Sequence, residues 1–227
     1  MKQLTDEQLR ALKEIDTPTV CNAIETFSIR GRVEGFPGID IRCLSPKLGV
    51  MVGYALTVTV DSTTPDVPRD DNAWRDWVLA MEAAPKPIVL VFQDVGAQPR
   101  KSAHMGEVMA TLATRLGAVG LVTDGGVRDL LEVRRLGFHY FAKGVVASHG
   151  NPRLIEVNVP VTLDGVPIEP GDLLHGDING VTAIPLSIAG QIAEVADRIR
   201  EGEAQLMAYI NGPDFTVEGL FKRRFKH

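Results

Sequence analysis

Two short charged motifs stand in front of two successive predicted helices. Gly106-Glu107 precedes the first helix and Arg128-Asp129 precedes the second, with twenty residues between Glu107 and Arg128. The apolar residues 119–123 between them predict a buried strand, and the following Gly125-Gly126 pair predicts a turn. In a β-α-β-α unit with right-handed crossovers, both helices start at the same end of a parallel sheet. We therefore expect both motifs to face one cleft, where α/β proteins usually place their sites.

These motifs combine groups that bind a carboxylate with groups that bind a cation. Free N–H groups at a helix N-terminus, here those of Val108 and Met109, form an anion site that the planar guanidinium of Arg128 would complete. Glu107 and Asp129 offer carboxylate oxygens for a hard divalent ion, directly or through water. The simpler alternative is that both acids only complement the helix dipoles and that Arg128-Asp129 is an exposed ion pair.

The composition is that of an ordinary globular protein without a nucleic-acid or membrane signature. Hydrophobic residues make up 44% and charged residues 23% of the 227 residues. The net charge of -5 lacks the basic footprint of nucleic-acid binding, and no apolar run approaches the roughly 20 residues of a membrane helix. Cys21 and Cys43 have neither disulfide-framework nor zinc spacing. We expect a cytoplasmic protein with reduced thiols, without nucleic-acid or membrane partners.

The elements that would position the motifs alternate between strands and helices, which predicts an α/β fold. The N-terminal segment, about residues 1–28, is predicted to be helical, with Asp16 capping its second helix. Alternating apolar residues over 48–60 predict a strand pair or one long bent strand, in which Gly49 and Gly53 could mark bulges. The chain is expected to form a single domain over residues 1–227.

The remaining elements surround the two motifs in sequence. A helix is predicted over 72–83 with Trp74 and Trp77 in the core, and a buried strand over 87–92. Short strands with hairpin turns follow between 155 and 184. A long amphipathic helix then starts the C-terminal segment, about residues 186–227, which ends in a basic stretch predicted to be a solvated tail.

The motifs of several common enzyme classes are absent from the sequence. No dinucleotide fingerprint, P-loop, zinc-protease motif or serine-hydrolase elbow is present. His104 lies just before the first motif, where it could assist proton transfer or be an exposed loop residue. No lysine stands within the motifs, which disfavours a Schiff base, although Lys101 and Lys143 keep that mechanism open.

The chain resembles the family that contains the regulator of ribonuclease activity A and the class II 4-hydroxy-4-methyl-2-oxoglutarate aldolases. The family pattern is an acid, twenty residues and then Arg-Asp, which reads here as Glu107 followed by Gly-Gly-Val-Arg128-Asp129. Three further segments match in the same order, and the resemblance covers roughly residues 14–200. They are Asp16-Thr-Pro-Thr-Val20, Val52-Gly-Tyr-Ala-Leu-Thr57 and Glu169-Pro-Gly-Asp-Leu-Leu-His-Gly-Asp-Ile-Asn-Gly-Val181.

The resemblance implies a fold, an assembly and a site. The fold is a β/β/α layered swivelling-domain fold with a central mixed sheet and flanking helices, assembled as trimers or hexamers with sites between subunits. Asp129 would bind a divalent ion, usually magnesium and alternatively manganese, with water filling much of the shell. A pyruvate-like carboxylate would lie on Arg128 and on the amides after Glu107, within the segment Gly106–Met109. In the aldolases a C-terminal acid of a neighbouring subunit completes the site, and the candidates here are Glu194, Glu201 and Glu203.

The function implied is a metal-dependent lyase for small 2-oxo acids that works through a pyruvate enolate. Aldol cleavage of 4-hydroxy-2-oxo acids such as 4-hydroxy-4-methyl-2-oxoglutarate and decarboxylation of oxaloacetate both pass through that enolate. Glu107, where the aldolases carry Asp, would orient a water for proton transfer, and the loops 61–71 and 96–104 would select the substrate. The alternative is a non-catalytic ring that inhibits a ribonuclease or helicase by surface contact.

Overall fold

A computed structural model of the protein describes residues 3–224. The first three helices follow the sequence patterns closely. Thr5 caps the first helix through the Gln8 N–H in a complete capping box, and Asp16 caps the second through the Thr19 N–H. The helices are α1 (Asp6–Lys13), α2 (Thr17–Glu25), α3 (Asp71–Ala83), α4 (Glu107–Arg115), α5 (Leu130–Arg135), α6 (Ile192–Asn211) and α7 (Val217–Arg224).

The central element of the fold is a mixed eight-stranded sheet. Its strands are β1 (Arg42–Cys43), β2 (Met51–Asp61), β3 (Ile88–Asp94), β4 (Ala118–Thr123), β6 (His139–Ala142), β8 (Arg153–Val157), β11 (Leu173–Asp177) and β12 (Gly180–Ile184). The middle strands β2, β3, β4 and β6 are parallel to one another, as the β-α-β-α pattern predicts, and the remaining strands pair antiparallel. Two small two-stranded sheets complete the β-structure: β5 (Gly126–Val127) with β7 (Gly144–Val145), and β9 (Val161–Leu163) with β10 (Val166–Ile168).

The longest strand, β2, organises the sheet because it pairs with three other strands. One edge of β2 pairs with β3 from Tyr54 to Val60. The other edge of β2 pairs first with β11 and then with β8. Every residue of β2 is buried. The alternative of one long strand is therefore correct, and its bulge lies between Thr59 and Val60 rather than at the predicted Gly49 or Gly53. Gly53 instead faces the Pro87 backbone, which leaves no room for a side chain.

Apolar side chains on the two faces of the sheet pack against different layers. On one face, residues such as Leu56, Val58 and Leu90 contact α3, α4 and α5, and further along the sheet Val52 and Leu173 contact α1, α2 and α6. On the opposite face, alternate residues such as Val89 and Val91 pack against the β9–β10 hairpin. The result is the predicted β/β/α layering, a hairpin layer, a central sheet and a helical layer.

Two predicted features differ from the structure. The Gly-Gly turn does not lead directly into a helix, because Gly126 and Val127 first pair with residues 144–145 as a short parallel ribbon. The predicted solvated tail contains helix α7, whose Thr216 side chain accepts a hydrogen bond from the Gly219 N–H. Residues 225–227 of the basic stretch lie outside the described residues. Among the residues described, no helix is long and apolar enough to cross a bilayer.

Candidate functional site

Backbone pairing brings the two charged motifs side by side. The segment before α4 runs beside β5 through a parallel bridge between Ala103 and Gly126 and a hydrogen bond from the His104 N–H to the Gly126 carbonyl of 2.9 Å. The Arg128 N–H then donates to the Met105 carbonyl at 3.0 Å. This pairing fixes Gly106, the residue that precedes α4, against the residues that precede α5.

Asp129 joins the two helix N-termini. It is the N-cap of α5 in a left-handed backbone conformation, with φ 58°. Its Oδ2 accepts the Glu107 N–H at 2.9 Å and lies 3.7 Å from Nε of Arg128. A Cβ on Gly106 would lie 2.5 Å from that oxygen and 2.9 Å from Arg128 Nε. Glycine at 106 is therefore a condition for this contact, since any larger residue would push the carboxylate and guanidinium away.

The N-terminus of α4 has amides that this contact leaves free. The first N–H groups of a helix have no intrahelical acceptor, and Gly106 supplies no side-chain cap. Asp129 takes the Glu107 N–H, so the N–H groups of Val108 and Met109 remain for a ligand. Their partial positive charge favours an anion at this place.

A cavity of about 360 Å³ opens in front of these amides. Its wall includes all four residues predicted to bind substrate, namely Gly106, Val108, Met109 and Arg128. Arg128 is about one third exposed and Val108 is 82% exposed, so a ligand can reach both. The side chain of Glu107 is exposed and does not line the cavity, so its predicted role with a water stays a prediction.

The donor set at Asp129 suits a hard divalent ion that keeps most of its water. Within residues 3–224 no three His, Cys, Asp or Glu side chains cluster as a metal cage. Magnesium often binds proteins through only one or two carboxylates, with water in the other positions. Asp129 is about one third exposed, and its Oδ1 has no hydrogen-bond donor among the described residues. One oxygen of this carboxylate is therefore anchored by the protein while the other is free to bind an ion.

His104 is not the exposed loop residue that the sequence allowed. Its side chain is 1% exposed, and Nε2 lies 2.8 Å from Oδ2 of the equally buried Asp94 at the end of β3. Burial alone would raise the pKa of Asp94, but contacts with His104, Ser102 and the Gly96 N–H outweigh burial and lower it. Asp94 was missed at the sequence level, although an acid directly after a buried strand was a usable signal.

The opposite wall of the cavity comes from distant parts of the chain. Arg69 and Asp70 belong to the loop 61–71, whose role in substrate selection stays a prediction. Trp77 is fully buried as predicted, whereas Trp74 is only partly buried and lines the cavity. Arg153, at the start of β8, also lines it and had no sequence signal.

Comparisons with known proteins show which family the chain belongs to. A family model described as RraA-like, Aldolase/RraA, matches residues 17–183. An uncharacterised protein of Methanocaldococcus jannaschii is 29% identical over 207 residues, which cover 91% of this chain and 90% of that protein. A protein of Halalkalibacterium halodurans, provisionally named a 4-hydroxy-4-methyl-2-oxoglutarate aldolase, is 34% identical over 194 residues, covering 84% of this chain and 85% of the relative.

A solved structure extends the likeness to three dimensions. RraAS2 of Streptomyces coelicolor, described as an unusual member of the RNase ES inhibitor RraA protein family, superposes with a TM-score of 0.69 at 27% identity. The match covers 90% of this chain and 99% of that one. Because the family model spans most of the chain, this protein belongs to the RraA-like family, which includes aldolases and ribonuclease regulators.

Proposed function

We propose that this protein is a divalent-metal-dependent carbon–carbon lyase for small 2-oxo acids. The observation that carries the proposal is the convergence of Arg128 and the free amides of Val108 and Met109 on one cavity, with Asp129 anchored beside them. Its reactions would be aldol cleavage of 4-hydroxy-2-oxo acids such as 4-hydroxy-4-methyl-2-oxoglutarate, decarboxylation of oxaloacetate, or both. The provisional name of the Halalkalibacterium halodurans relative supports the aldolase reaction.

The protein's own groups would bind and orient the 2-oxo acid. Arg128 would hold the substrate carboxylate through two parallel N–H···O bonds, a geometry that a guanidinium provides and an ammonium does not. The Val108 and Met109 amides would bind the same group from the helix side. These contacts fix the 2-oxo group relative to Asp129, so that the bond to be broken has one orientation.

Asp129 would hold the metal ion, magnesium or alternatively manganese. Such an ion stabilises the negative charge that develops on the 2-oxo oxygen as the carbon–carbon bond breaks. Glu107 would position a water for the accompanying proton transfer. Glu194, Glu201 and Glu203 on α6 are the candidates for an acid that a neighbouring subunit adds to the site in a trimer or hexamer.

The test is a magnesium titration of oxaloacetate decarboxylation and of 4-hydroxy-4-methyl-2-oxoglutarate cleavage, each with a chelator control. We expect turnover that rises with magnesium and disappears when the ion is chelated. Absence of both activities in folded protein saturated with magnesium or manganese would refute the proposal.

The second candidate is a non-catalytic regulator that binds a ribonuclease or helicase. The likeness to Streptomyces coelicolor RraAS2, whose description places it in an RNase inhibitor family, favours this alternative. A regulator needs neither the arginine–carboxylate arrangement nor a metal. Inhibition of an RNase E-type ribonuclease that survives both chelation and the Arg128→Lys change, without lyase activity, would favour the regulator.

A further inference from the structure

The wall of the cavity opposite α4 has an excess of basic side chains. One acid is present there, Asp70, and it accepts a hydrogen bond from the Asn72 N–H at the start of α3. The basic residues of this wall are Arg69, His149 and Arg153, whereas Arg128 and the buried His104, which pairs with Asp94, lie on the α4 side of the cavity. Arg128 and the α4 amides account for one acidic group of a ligand, so the remaining cations have no role in binding the 2-oxo acid end.

Arg153 differs from Arg69 and His149 because its side chain is nine-tenths buried. Its side chain is 10% exposed, whereas Arg69 and His149 are exposed. The position follows from the sheet register, in which Arg153 of β8 pairs with Asp61 at the end of β2. Burying a guanidinium is costly unless it is paired and hydrogen-bonded.

The pairing of Arg153 is incomplete. One terminal nitrogen, Nη2, bonds Oδ2 of Asp61, a carboxylate that is 5% exposed. The Nε–H is buried and has no acceptor anywhere in the described part of the chain. A guanidinium has five N–H donors, and an unsatisfied buried donor is rare in native proteins. Because Arg153 also lines the cavity, the unused donors of its guanidinium point to a ligand there.

Asp61 has the properties of a residue that holds Arg153 in place. Its Oδ1 accepts the N–H groups of Thr63 at 2.9 Å and Thr64 at 3.0 Å. Burial opposes ionisation of Asp61, but these bonds and Arg153 outweigh it and lower the pKa to about 2. Asp61 therefore stays ionised and orients the guanidinium. The same carboxylate binds the first residues of the loop that contains Arg69, through the N–H groups of Thr63 and Thr64.

We infer that Arg153 is a specificity-determining residue that binds an acidic group at the end of the substrate remote from its 2-oxo acid. This inference rests on the proposed function, because it assigns the 2-oxo acid to Arg128. The shared chemistry is an anionic group with oxygen acceptors, either a carboxylate or a phosphonate or phosphate. Arg69 and His149 at the exposed rim would add charge but less specificity, since solvent screens them.

The test compares 2-oxo acids that the enzyme does not cleave, two of which, 2-oxovalerate and 2-oxoglutarate, have the same five-carbon chain. Calorimetric titrations with saturating magnesium would use pyruvate, 2-oxovalerate and 2-oxoglutarate, with 3-phosphonopyruvate as the phosphonate. We expect 2-oxoglutarate to bind the wild-type protein at least about tenfold more tightly than 2-oxovalerate, the range of one charge-assisted hydrogen bond. The relative affinity of 3-phosphonopyruvate would show which acid the wall prefers.

Two variants assign the difference to Arg153. Arg153→Lys keeps a charge beside Asp61 but removes the planar donors, and Arg153→Gln combined with Asp61→Asn removes both charges together. In each, the ratio of the two affinities should fall towards one while pyruvate affinity stays within about twofold of wild type. Arg10→Gln, which changes an exposed arginine on α1, is the matched control and should leave the ratio unchanged.

The outcomes separate the two proposals. If pyruvate binds but the wild-type ratio is near one, or the ratio survives in either folded Arg153 variant, the Asp61–Arg153 pair is structural and the inference is wrong. If pyruvate itself fails to bind, the proposed function fails and the inference fails with it. The ratio of the 2-oxoglutarate and 2-oxovalerate affinities is measured on the wild-type protein. A ratio near one would therefore overturn the inference even if a variant failed to fold.

Discussion

At the scale of single residues, Asp129 combines a backbone role with a chemical one. One carboxylate oxygen of Asp129 accepts the Glu107 N–H, and the backbone of Asp129 is in the left-handed conformation. Among residues with a side chain, asparagine and aspartate tolerate that conformation best. Substitution by asparagine can therefore separate the two roles. Asparagine keeps the oxygen that accepts the Glu107 N–H but loses the negative charge of the carboxylate.

We predict that Asp129→Asn folds like wild type but loses magnesium binding and turnover. The amide oxygen still accepts the Glu107 N–H, whereas a neutral amide is a poor magnesium ligand. Turnover should fall by about 10²–10³-fold, the typical effect of removing one electrostatic contact to a developing charge. Asp129→Ala should lose the same activity and also about 1 kcal/mol of stability, because it removes the oxygen that accepts the Glu107 N–H at the start of α4. Calorimetric magnesium titration decides, and unchanged affinity in Asp129→Asn would remove this residue from the metal site.

Arg128 supports a second prediction at this scale. Arg128→Lys should raise the Michaelis constant for 2-oxo acids by roughly tenfold or more, because losing a charge-assisted bond costs about 1.5–3 kcal/mol. The folding stability should change little, since this side chain is one third exposed. Steady-state kinetics beside a thermal melt would measure both. A Michaelis constant equal to that of wild type in a folded variant would show that Arg128 is structural.

At the scale of secondary-structure elements, the site depends on the segment that connects β3 to α4. This segment is held on one side by its backbone bonds to β5 and on the other by the His104–Asp94 pair. Gly125, the first residue of the Gly-Gly pair, packs directly against the imidazole, where a Cβ would collide with it. The glycine pair is thus required by the buried histidine as well as by the turn.

We predict that Asp94→Ala costs about 3–5 kcal/mol of stability, the usual effect of removing one partner from a buried pair. The imidazole, whose side chain is 1% exposed, would be left without its carboxylate. The matched control is Arg198→Ala, which breaks the exposed Glu194–Arg198 pair and should cost at most about 0.5 kcal/mol. Urea unfolding of both variants gives the comparison. Equal costs for the two variants would mean that the buried pair does not hold this segment.

At the scale of the whole molecule, two buried histidines link the fold to pH. His175 donates from Nε2 to the Leu12 carbonyl, and its Nδ1 accepts from the Thr17 hydroxyl, so β11 is tied to α1 and α2 through the neutral ring. Burial lowers the pKa of His175 despite these bonds. Burial, with a smaller contribution from the charge of Lys13, lowers the pKa of His139 to about 4.

Acid should therefore destabilise the protein before its carboxylates titrate. Both histidines have folded pKa values below the usual 6.5, so their stabilising contribution is complete above pH 6.5 and is lost as pH falls towards 4. The shift of His139 corresponds to about 3 kcal/mol over that window. Urea midpoints at several pH values would measure the loss, and His139→Leu should make the dependence less steep by about one proton. Constant stability between pH 6.5 and 4.5 would contradict the assignment.

The assembly is a further prediction for the whole molecule. We expect a homotrimer or hexamer, on the basis of the family resemblance and of apolar residues that a monomer rarely exposes together. Phe36, Ile39 and Ile178 line one groove and are 39%, 86% and 67% exposed. Light scattering at micromolar concentration measures the mass directly. A monomer under those conditions would contradict this prediction.

The sequence by itself determined the local elements and the pairing of the two motifs. Thr5 and Asp16 act as helix caps through residues three positions away, and β2 is marked by its own alternation, so these signals lie within a few residues of what they predict. The β-α-β-α order then places two helix N-termini at one end of a parallel sheet. Thr216, directly before Val217, is a comparable local signal for helix α7, which was not predicted from the sequence.

Only the tertiary structure decided what surrounds the motifs. Arg153 reaches the cavity because β8 pairs with the second half of β2, and Asp94 meets His104 because a connecting segment folds back over the end of β3. Neither contact involves residues close in sequence. Such contacts depend on strand register and on the packing of distant elements, and the same side chain would be exposed to solvent in another register. For that reason the reacting end of the proposed site could be predicted from the chain, whereas the wall that selects its ligand could not.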